Sequence, residues 1–340
     1  MENRIQTDSV KISVVGCGAW GTALAKIAAE KGHTVHLWCH EQQTADFINQ
    51  EHENKNYLPG ISLPLGLKAT LNLPEALNQA HLIIIVTASQ FFLPTLSDIL
   101  PFCSNSTLIL SATKGLSPET KERPSQMLAR VLGLNNHNWA ILTGPNLSRE
   151  IAEGKVAATV ISSPWEACAQ SIQFLLNSNT LRVYTNTDVV GSELGGTLKN
   201  VIAIAAGIAD GLEQGTNARS ALMVRGLVEM VRFGRAFGAL DETFYGLTGM
   251  GDLITTCSSE LSRNHTVGVR LAQGEKLSEI IASTRAIAEG VETARLVASI
   301  AAEKGIDMPM TTRIAQILFE DLSPIQALHE LMSRAPTRER

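Results

Sequence analysis

The sequence predicts an α/β protein in two parts: a doubly wound parallel sheet, then an all-helical second domain. Three observations carry this reading. In the first half, β-branched apolar runs alternate with helical stretches, as βα repetition requires. A glycine-punctuated turn, Gly16-x-Gly18-x-x-Gly21, joins the first of these runs to an alanine-rich helix. Beyond about residue 188, strand-like runs nearly vanish and long helical patterns take over.

The strand candidates, in order, are "KISVVG" ending at Gly16, "TVHLW" from Thr34, "LIIIVT" from Leu82, "TLILSAT" from Thr107, "WAILTG" from Trp139 and "AATVIS" from Ala157, with "LRVY" from Leu181 closing the set. Unbroken apolar runs of this kind suit strands buried on both faces of a parallel sheet. Helical periodicity then covers 189–211, 216–237, 264–273, 285–305 and a stretch near 323–333. The expected domains are therefore residues 1–188 and 189–340, with a loose polar arm before the first strand and a charged, frayed end at "SRAPTRER".

Composition excludes several classes. At 44% hydrophobic and 18% charged residues, a chain of 340 residues can bury a sizeable core. A net charge of -5 argues against a general nucleic-acid binder but leaves small anionic substrates open, since a local pocket can be positive. Five cysteines stand singly, without a CxxC pair, which points to reduced thiols in a cytoplasm rather than a disulfide framework or zinc site. The N-terminus carries no signal pattern, and the longest apolar runs fall short of the roughly 20 residues of a membrane span. With no HExxH, nucleophile elbow or clustered His/Cys set, neither a metal nor covalent catalysis is expected.

The glycine motif is read as a dinucleotide-binding, Rossmann-like turn. Gly16 permits the tight turn, Gly18 lets a pyrophosphate approach the backbone, and Gly21 lets helix and strand pack closely. The free N–H groups at the helix start would face the anion. A plain strand-to-helix turn is the competing reading. The second strand ends in Cys39, His40, Glu41, where an NAD site usually carries an acid. His40 could donate to a 2′-phosphate, so NADP is expected alongside NAD; a solvated loop histidine is the alternative.

The second domain poses a different question. Lys199 stands in the helix "ELGGTLKNVIAIAAG", and its own-face neighbours are Ser192, Gly195, Gly196, Ile202, Ala203 and Ala206. Two helix-interior glycines cost about 1 kcal/mol each relative to alanine. Close approach of another backbone, or of a ligand, would offset that. Lys199 is then either a desolvated amine that trades a proton with substrate or a lysine snorkelling from a tightly packed helix. Lys114, in "SATKGL", follows a strand, and Gly144 and Asn146, in "TGPN", follow another. Ligands of open α/β sheets bind at that edge. Asp252 lies in a glycine-rich turn and reads singly as a helix N-cap. Ser262, Arg263 and Asn264 at a helix start offer hydroxyl, guanidinium, amide and backbone donors, either as a phosphate cradle or as an ordinary cap with an exposed arginine. Arg219, Arg225, Arg232 and Arg235 read as surface or interface charges, and His265 as a solvated or packing histidine.

Together these segments resemble the bacterial NAD(P)-dependent glycerol-3-phosphate dehydrogenases. "GCGAWGTALA", "LWCH", "SATKGL", "LTGPN", "GSELGGTLKNVIAIAAGIADGL", "GLTGMGDLITTCSS", "LSRNHTVG" and "AEGVETA" follow the family's order from residue 16 to about 295. The resemblance implies reversible reduction of dihydroxyacetone phosphate to sn-glycerol 3-phosphate, supplying glycerophospholipid synthesis. It implies that Lys199 carries the proton, that Lys114 lies between cofactor and substrate, and that Asp252 lies by the reacting end. Ser262, Arg263 and Asn264 would hold the substrate phosphate, with Arg263 also near the cofactor. Ala19, Trp20 and His40 would line the dinucleotide, and Ile287 and Glu289 would approach it. Where the family commonly reads Gly-Pro-Ser-Phe-Ala, this chain has "GPNLS", so Asn146 stands at a substrate-lining position and Ser148 at a cofactor-lining one. A cytoplasmic homodimer is the expected assembly. The rival enzyme reading is a related two-domain β-hydroxyacid or ketopantoate-type reductase, which the phosphate cradle disfavours. A non-catalytic NAD(P) sensor is the other rival, disfavoured by the intact Lys114, Lys199 and Asp252.

Overall fold

A computed structural model describes residues 9–133, 137–283, 288–335 and 338. The chain forms two compact units, one of residues 1–113 and 122–189, the other of 114–121 and 190–340.

The first unit is built on strands β1 (Lys11–Val15), β2 (Thr34–Trp38), β3 (Glu53–Asn54), β4 (Leu58–Ser62), β5 (Leu67–Thr70), β6 (Leu82–Ile85), β7 (Leu108–Ser111), β8 (Trp139–Thr143), β9 (Ala157–Ser162) and β10 (Leu181–Asn186). Eight of them form one sheet in the order β10-β9-β8-β7-β6-β1-β2-β5. The chain leaves β1 toward β2 and β5, then returns to β6 on the other side of β1. That reversal creates a switch point between β1 and β6, the usual ligand edge of such sheets. Alternate residues feed opposite cores. Val14 and Leu37 lie in one apolar cluster, Val15 and Ile85 in another.

Two features depart from the sequence reading. The sheet is not wholly parallel, because β9 runs antiparallel to β8, with Ile141 opposite Ser162 and Thr143 opposite Val160. The segment between β8 and β9 holds only the five-residue helix Ser148–Ala152, so it folds back instead of making a full crossover. The edge strand β5, "LKAT", and the β3–β4 ribbon carry no long apolar run and escaped detection. An edge strand needs little apolar surface, and half of β5 is open to solvent.

In the second unit, the helix Val189–Gly211 is buried almost throughout. Around it lie the helices Gly215–Arg235, Asp252–Ser258, Arg263–Ala272, Glu289–Lys304, Pro309–Phe319 and Pro324–Met332. Buried Glu229 accepts from the backbone N–H groups of Met310 (2.6 Å) and Thr311 (3.1 Å), satisfying the free start of Pro309–Phe319. Burial nonetheless pushes the Glu229 carboxyl up, against the pull of those donors. Among the described residues, no helix is long and apolar enough to cross a membrane.

Candidate active site

In the first unit, the glycine turn after β1 is shaped by contact on two sides and by space on the third. Gly16 has φ +119°, and a Cβ there would lie 2.4 Å from the Val86 carbonyl oxygen. A Cβ on Gly21 would lie 1.9 Å from the Gly16 oxygen, so strand and helix pack with nothing to spare. A Cβ on Gly18 would meet nothing within 4 Å. Gly18 is also the N-cap of the helix Ala19–Glu30, with no side chain over its free N–H groups.

Several buried polar atoms of this unit lack a protein partner: Trp20 Nε1, Thr87 Oγ1 and Asn146 Oδ1. Trp20 lies in the first turn of that helix, Thr87 just after β6, and Asn146 just after β8. Unmet buried polar groups are costly unless something pairs with them. Together with the open Gly18, they fit an adenine dinucleotide, whose phosphates need backbone donors and whose nicotinamide end needs hydrogen-bonding partners. Asn146 also donates to Thr159 Oγ1 (3.0 Å). Gly144 has φ +127°, and Ser148 opens the helix Ser148–Ala152. His40 is exposed, 3.6 Å from Glu41. Glu41 accepts from Thr44 (2.8 Å) and Tyr57 (3.0 Å), so its carboxylate is engaged within the protein.

In the second unit, Lys199, Asp252, Lys114 and Thr256 form one buried cluster. Lys199 Nζ lies 3.0 Å from Asp252 Oδ1 and donates to Thr256 Oγ1 at 2.7 Å. Lys114 Nζ donates to Asp252 Oδ2 at 2.7 Å. Thr256 Oγ1 in turn donates to the Asp252 backbone oxygen one helical turn back, at 2.7 Å. Lys114 opens the short segment 114–121, whose Gly115 N–H donates to Thr197 Oγ1 (3.2 Å) on the Lys199 helix.

Asp252 is therefore not the helix N-cap that its turn suggested. Gly251 takes that place, after a π-turn at Leu247–Gly251, and the Asp252 carboxylate points at two lysines. Gly195 explains part of the small-residue face: a Cβ there would lie 2.5 Å from the Thr248 carbonyl oxygen. The glycine thus lets the π-turn that carries Asp252 approach the Lys199 helix.

Burial lowers the Lys199 pKa, and the Lys114 charge adds to that, while Asp252 pulls it back up. Burial also works against the Asp252 carboxylate, but the two ammonium groups outweigh it and hold its pKa below the usual range. The site thus holds a desolvated amine whose charge depends on one carboxylate, a proper arrangement for passing a proton.

Ser262 caps the helix Arg263–Ala272, its Oγ accepting from His265 N–H (3.3 Å). Asn264 is buried, donating to Asn200 Oδ1 (2.8 Å) and accepting from Gly290 N–H (2.9 Å). Asn200 also donates to Glu289 at 3.4 Å. Of the expected trio, Arg263 alone is exposed. His265 is not a solvated residue: its Nε2 lies 2.8 Å from Asp210 Oδ2, which also pairs with Arg219 at 3.1 Å. Ile287 lies outside the described residues.

Profiles of two protein families together cover most of the chain. Residues 11–169 match the N-terminal part of NAD-dependent glycerol-3-phosphate dehydrogenase, and residues 188–329 match its C-terminal part. The chain belongs to the NAD-dependent glycerol-3-phosphate dehydrogenase family. It is 45% identical to the glycerol-3-phosphate dehydrogenase [NAD(P)+] of Streptomyces griseus over 98% of this chain and 99% of that one. The crystal structure of glycerol-3-phosphate dehydrogenase from Coxiella burnetii matches with a TM-score of 0.90 at 36% identity, over 96% and 99% of the two chains. A ketopantoate reductase from Ralstonia eutropha matches at 17% identity and a TM-score of 0.58, a likeness of fold alone. The glycerol-3-phosphate dehydrogenase reading is thereby favoured over the ketopantoate-type one. As in that family, the chain joins a Rossmann-like domain to a helical one and uses a nicotinamide dinucleotide; no cluster of metal-ligating side chains exists among the described residues.

Sequence reasoning missed Thr256, Asn200 and Thr87. Thr256 was within reach, lying four residues after Asp252 on one helix face. Asn200 gave no signal because its partner Asn264 lies 64 residues away, and Thr87 gave none because only the folded structure shows its hydroxyl buried and unmet.

Proposed function

We propose that the chain catalyses the reversible reduction of dihydroxyacetone phosphate to sn-glycerol 3-phosphate with NADPH or NADH. The observation that supports this best is the buried Lys199–Asp252–Lys114 cluster. The bound cofactor supplies a hydride to the carbonyl carbon. Lys199 holds the carbonyl oxygen as negative charge grows on it and gives it a proton; in oxidation it takes the proton back. Asp252 keeps Lys199 charged and aimed. Lys114 adds a second positive charge beside substrate and cofactor.

The exposed Arg263 guanidinium and the N-terminus of its helix suit the substrate phosphate, with Ser262 and Asn264 fixing that helix start. The first unit serves as the dinucleotide domain, where Gly16, Gly18, Ala19, Trp20, Gly21, His40 and Ser148 receive the cofactor. Gly144 and Asn146 line the substrate. Residues 189–340 form the substrate domain. Exposed His40 supports acceptance of the 2′-phosphate of NADPH. The enzyme works as a cytoplasmic homodimer whose product feeds glycerophospholipid synthesis.

The test is NADPH oxidation with dihydroxyacetone phosphate, comparing wild type with Lys199→Ala. Turnover should fall by about 10²–10⁴-fold, while NADPH binding persists. A wild type inactive on this ketone, or a fully active Lys199→Ala, would refute the assignment.

A further inference from the structure

The antiparallel course of β9 brings the start of that strand, rather than its end, to the ligand edge of the sheet, where β8 finishes. Thr143 pairs with Val160, so Thr159 comes to lie beside the turn that follows β8. The backbone closes tightly there. Gly144 has φ +127°, and a Cβ on it would lie 3.3 Å from Thr159 Cα. Thr159 itself is fully buried.

Three groups are linked through this turn. Thr159 Oγ1 donates to the Thr143 carbonyl oxygen at 2.8 Å. A hydroxyl has one proton to give, and a carbonyl oxygen can only accept. Toward Asn146, 3.0 Å away, Thr159 Oγ1 must therefore accept, and only the amide nitrogen of Asn146 can donate to it. The amide is thereby held in one of its two orientations, and its Oδ1 is left as the group Thr159 does not use. That oxygen is buried and has no partner among the described residues. A buried acceptor fixed in this way calls for a donor from a ligand.

We propose that Thr159 is a positioning residue that sets Asn146 as the acceptor for the free hydroxyl of dihydroxyacetone phosphate, so that the pair selects ketones carrying that hydroxyl. The inference rests on the function proposed above, in which Asn146 lines the substrate. The chemistry of that substrate leaves one suitable group. Its phosphate dianion and its ketone oxygen only accept, whereas its terminal hydroxyl can donate. A site built to pair with a hydroxyl discriminates against the analogue that lacks it, because the acceptor is then buried and unmet. Without the Thr159 hydroxyl, the Asn146 amide is free to turn and present its N–H groups instead, and the selection is lost.

The experiment measures kcat/KM with NADPH for dihydroxyacetone phosphate and for hydroxyacetone phosphate, which carries hydrogen in place of the free hydroxyl. It compares wild type with Thr159→Val, Thr159→Ser and Asn146→Ala. Wild type should favour dihydroxyacetone phosphate by about tenfold or more, as one unmet acceptor implies. Thr159→Val and Asn146→Ala should each bring the two ketones to within about twofold of parity. Thr159→Ser, which keeps the hydroxyl, should recover the preference, and the KM for NADPH should stay put in both Thr159 variants. A wild type that reduces both ketones alike overturns the proposal, as does a Thr159→Val enzyme that keeps the wild-type preference. Equal loss on both ketones in Thr159→Val and Thr159→Ser, with a lowered Tm, also overturns it, since that is a packing role. So does a raised KM for NADPH at unchanged preference, which gives the acceptor to the carboxamide of the cofactor. A wild type inactive on both ketones overturns the underlying reading of the function, and the proposal with it.

Discussion

Lys199 Nζ stands 3.0 Å from Asp252 Oδ1, and both groups are buried. A lysine amine removed from water loses its proton more readily, and the Asp252 carboxylate opposes that loss. The pair therefore sets where on the pH scale Lys199 changes state.

Asp252→Asn should shift the pH–rate profile in a defined direction. In the proposed mechanism ketone reduction needs the Lys199 ammonium, so the rate should fall as pH rises through the Lys199 pKa. Without the carboxylate, that pKa drops further, and the alkaline limb of kcat moves to lower pH. An unmoved limb would show that Asp252 does not control the lysine.

The same substitution carries a stability signature. Breaking a buried ion pair leaves uncompensated charge and costs about 3–5 kcal/mol at neutral pH. The folded pKa of Asp252 lies below its unfolded value, so its contribution is present above the usual carboxylate range and fades as pH falls through the depressed pKa. Urea melts across this range should show wild type and variant converging in acid.

Thr256→Val removes the oxygen that accepts from Lys199 while keeping nearly the same shape. Thr256 is a positioning residue, so kcat should fall about tenfold, as loss of about 1.4 kcal/mol implies, with little change in KM for NADPH. Thr256→Ser should recover most of the rate. Equal losses in both variants, accompanied by a lowered Tm, would mean a merely structural role.

Two glycine-to-alanine changes should separate cleanly. Gly195→Ala forces a Cβ against the Thr248 carbonyl and should cost about 1–3 kcal/mol, together with activity, as the Asp252 turn is pushed away. Gly18→Ala meets open space, so its stability should stay within about 0.5 kcal/mol of wild type. Its KM for NADPH should still rise, because the added methyl occupies the approach to the pyrophosphate. Calorimetry and cofactor titration of both variants read out the contrast.

Much of this protein was legible in its sequence because the signals were local. The β-branched runs, the glycine turn at Gly16–Gly21 and the helix around Lys199 follow from spacing, since strand and helix periodicity is set by covalent geometry. Lys114, Lys199 and Asp252 also stand out in the sequence, because charges beside glycine-rich turns and in apolar helices are conspicuous. Their pairings are not. Lys114 and Asp252 meet across 138 residues, Lys199 and Thr256 across 57. Periodicity says which face a side chain occupies, not what another part of the chain brings to it. The antiparallel turn into β9, the His265–Asp210 pair and the carboxylate shared by two lysines all arise from long-range packing, where burial sets the strength of each charge and decides which neighbour it finds.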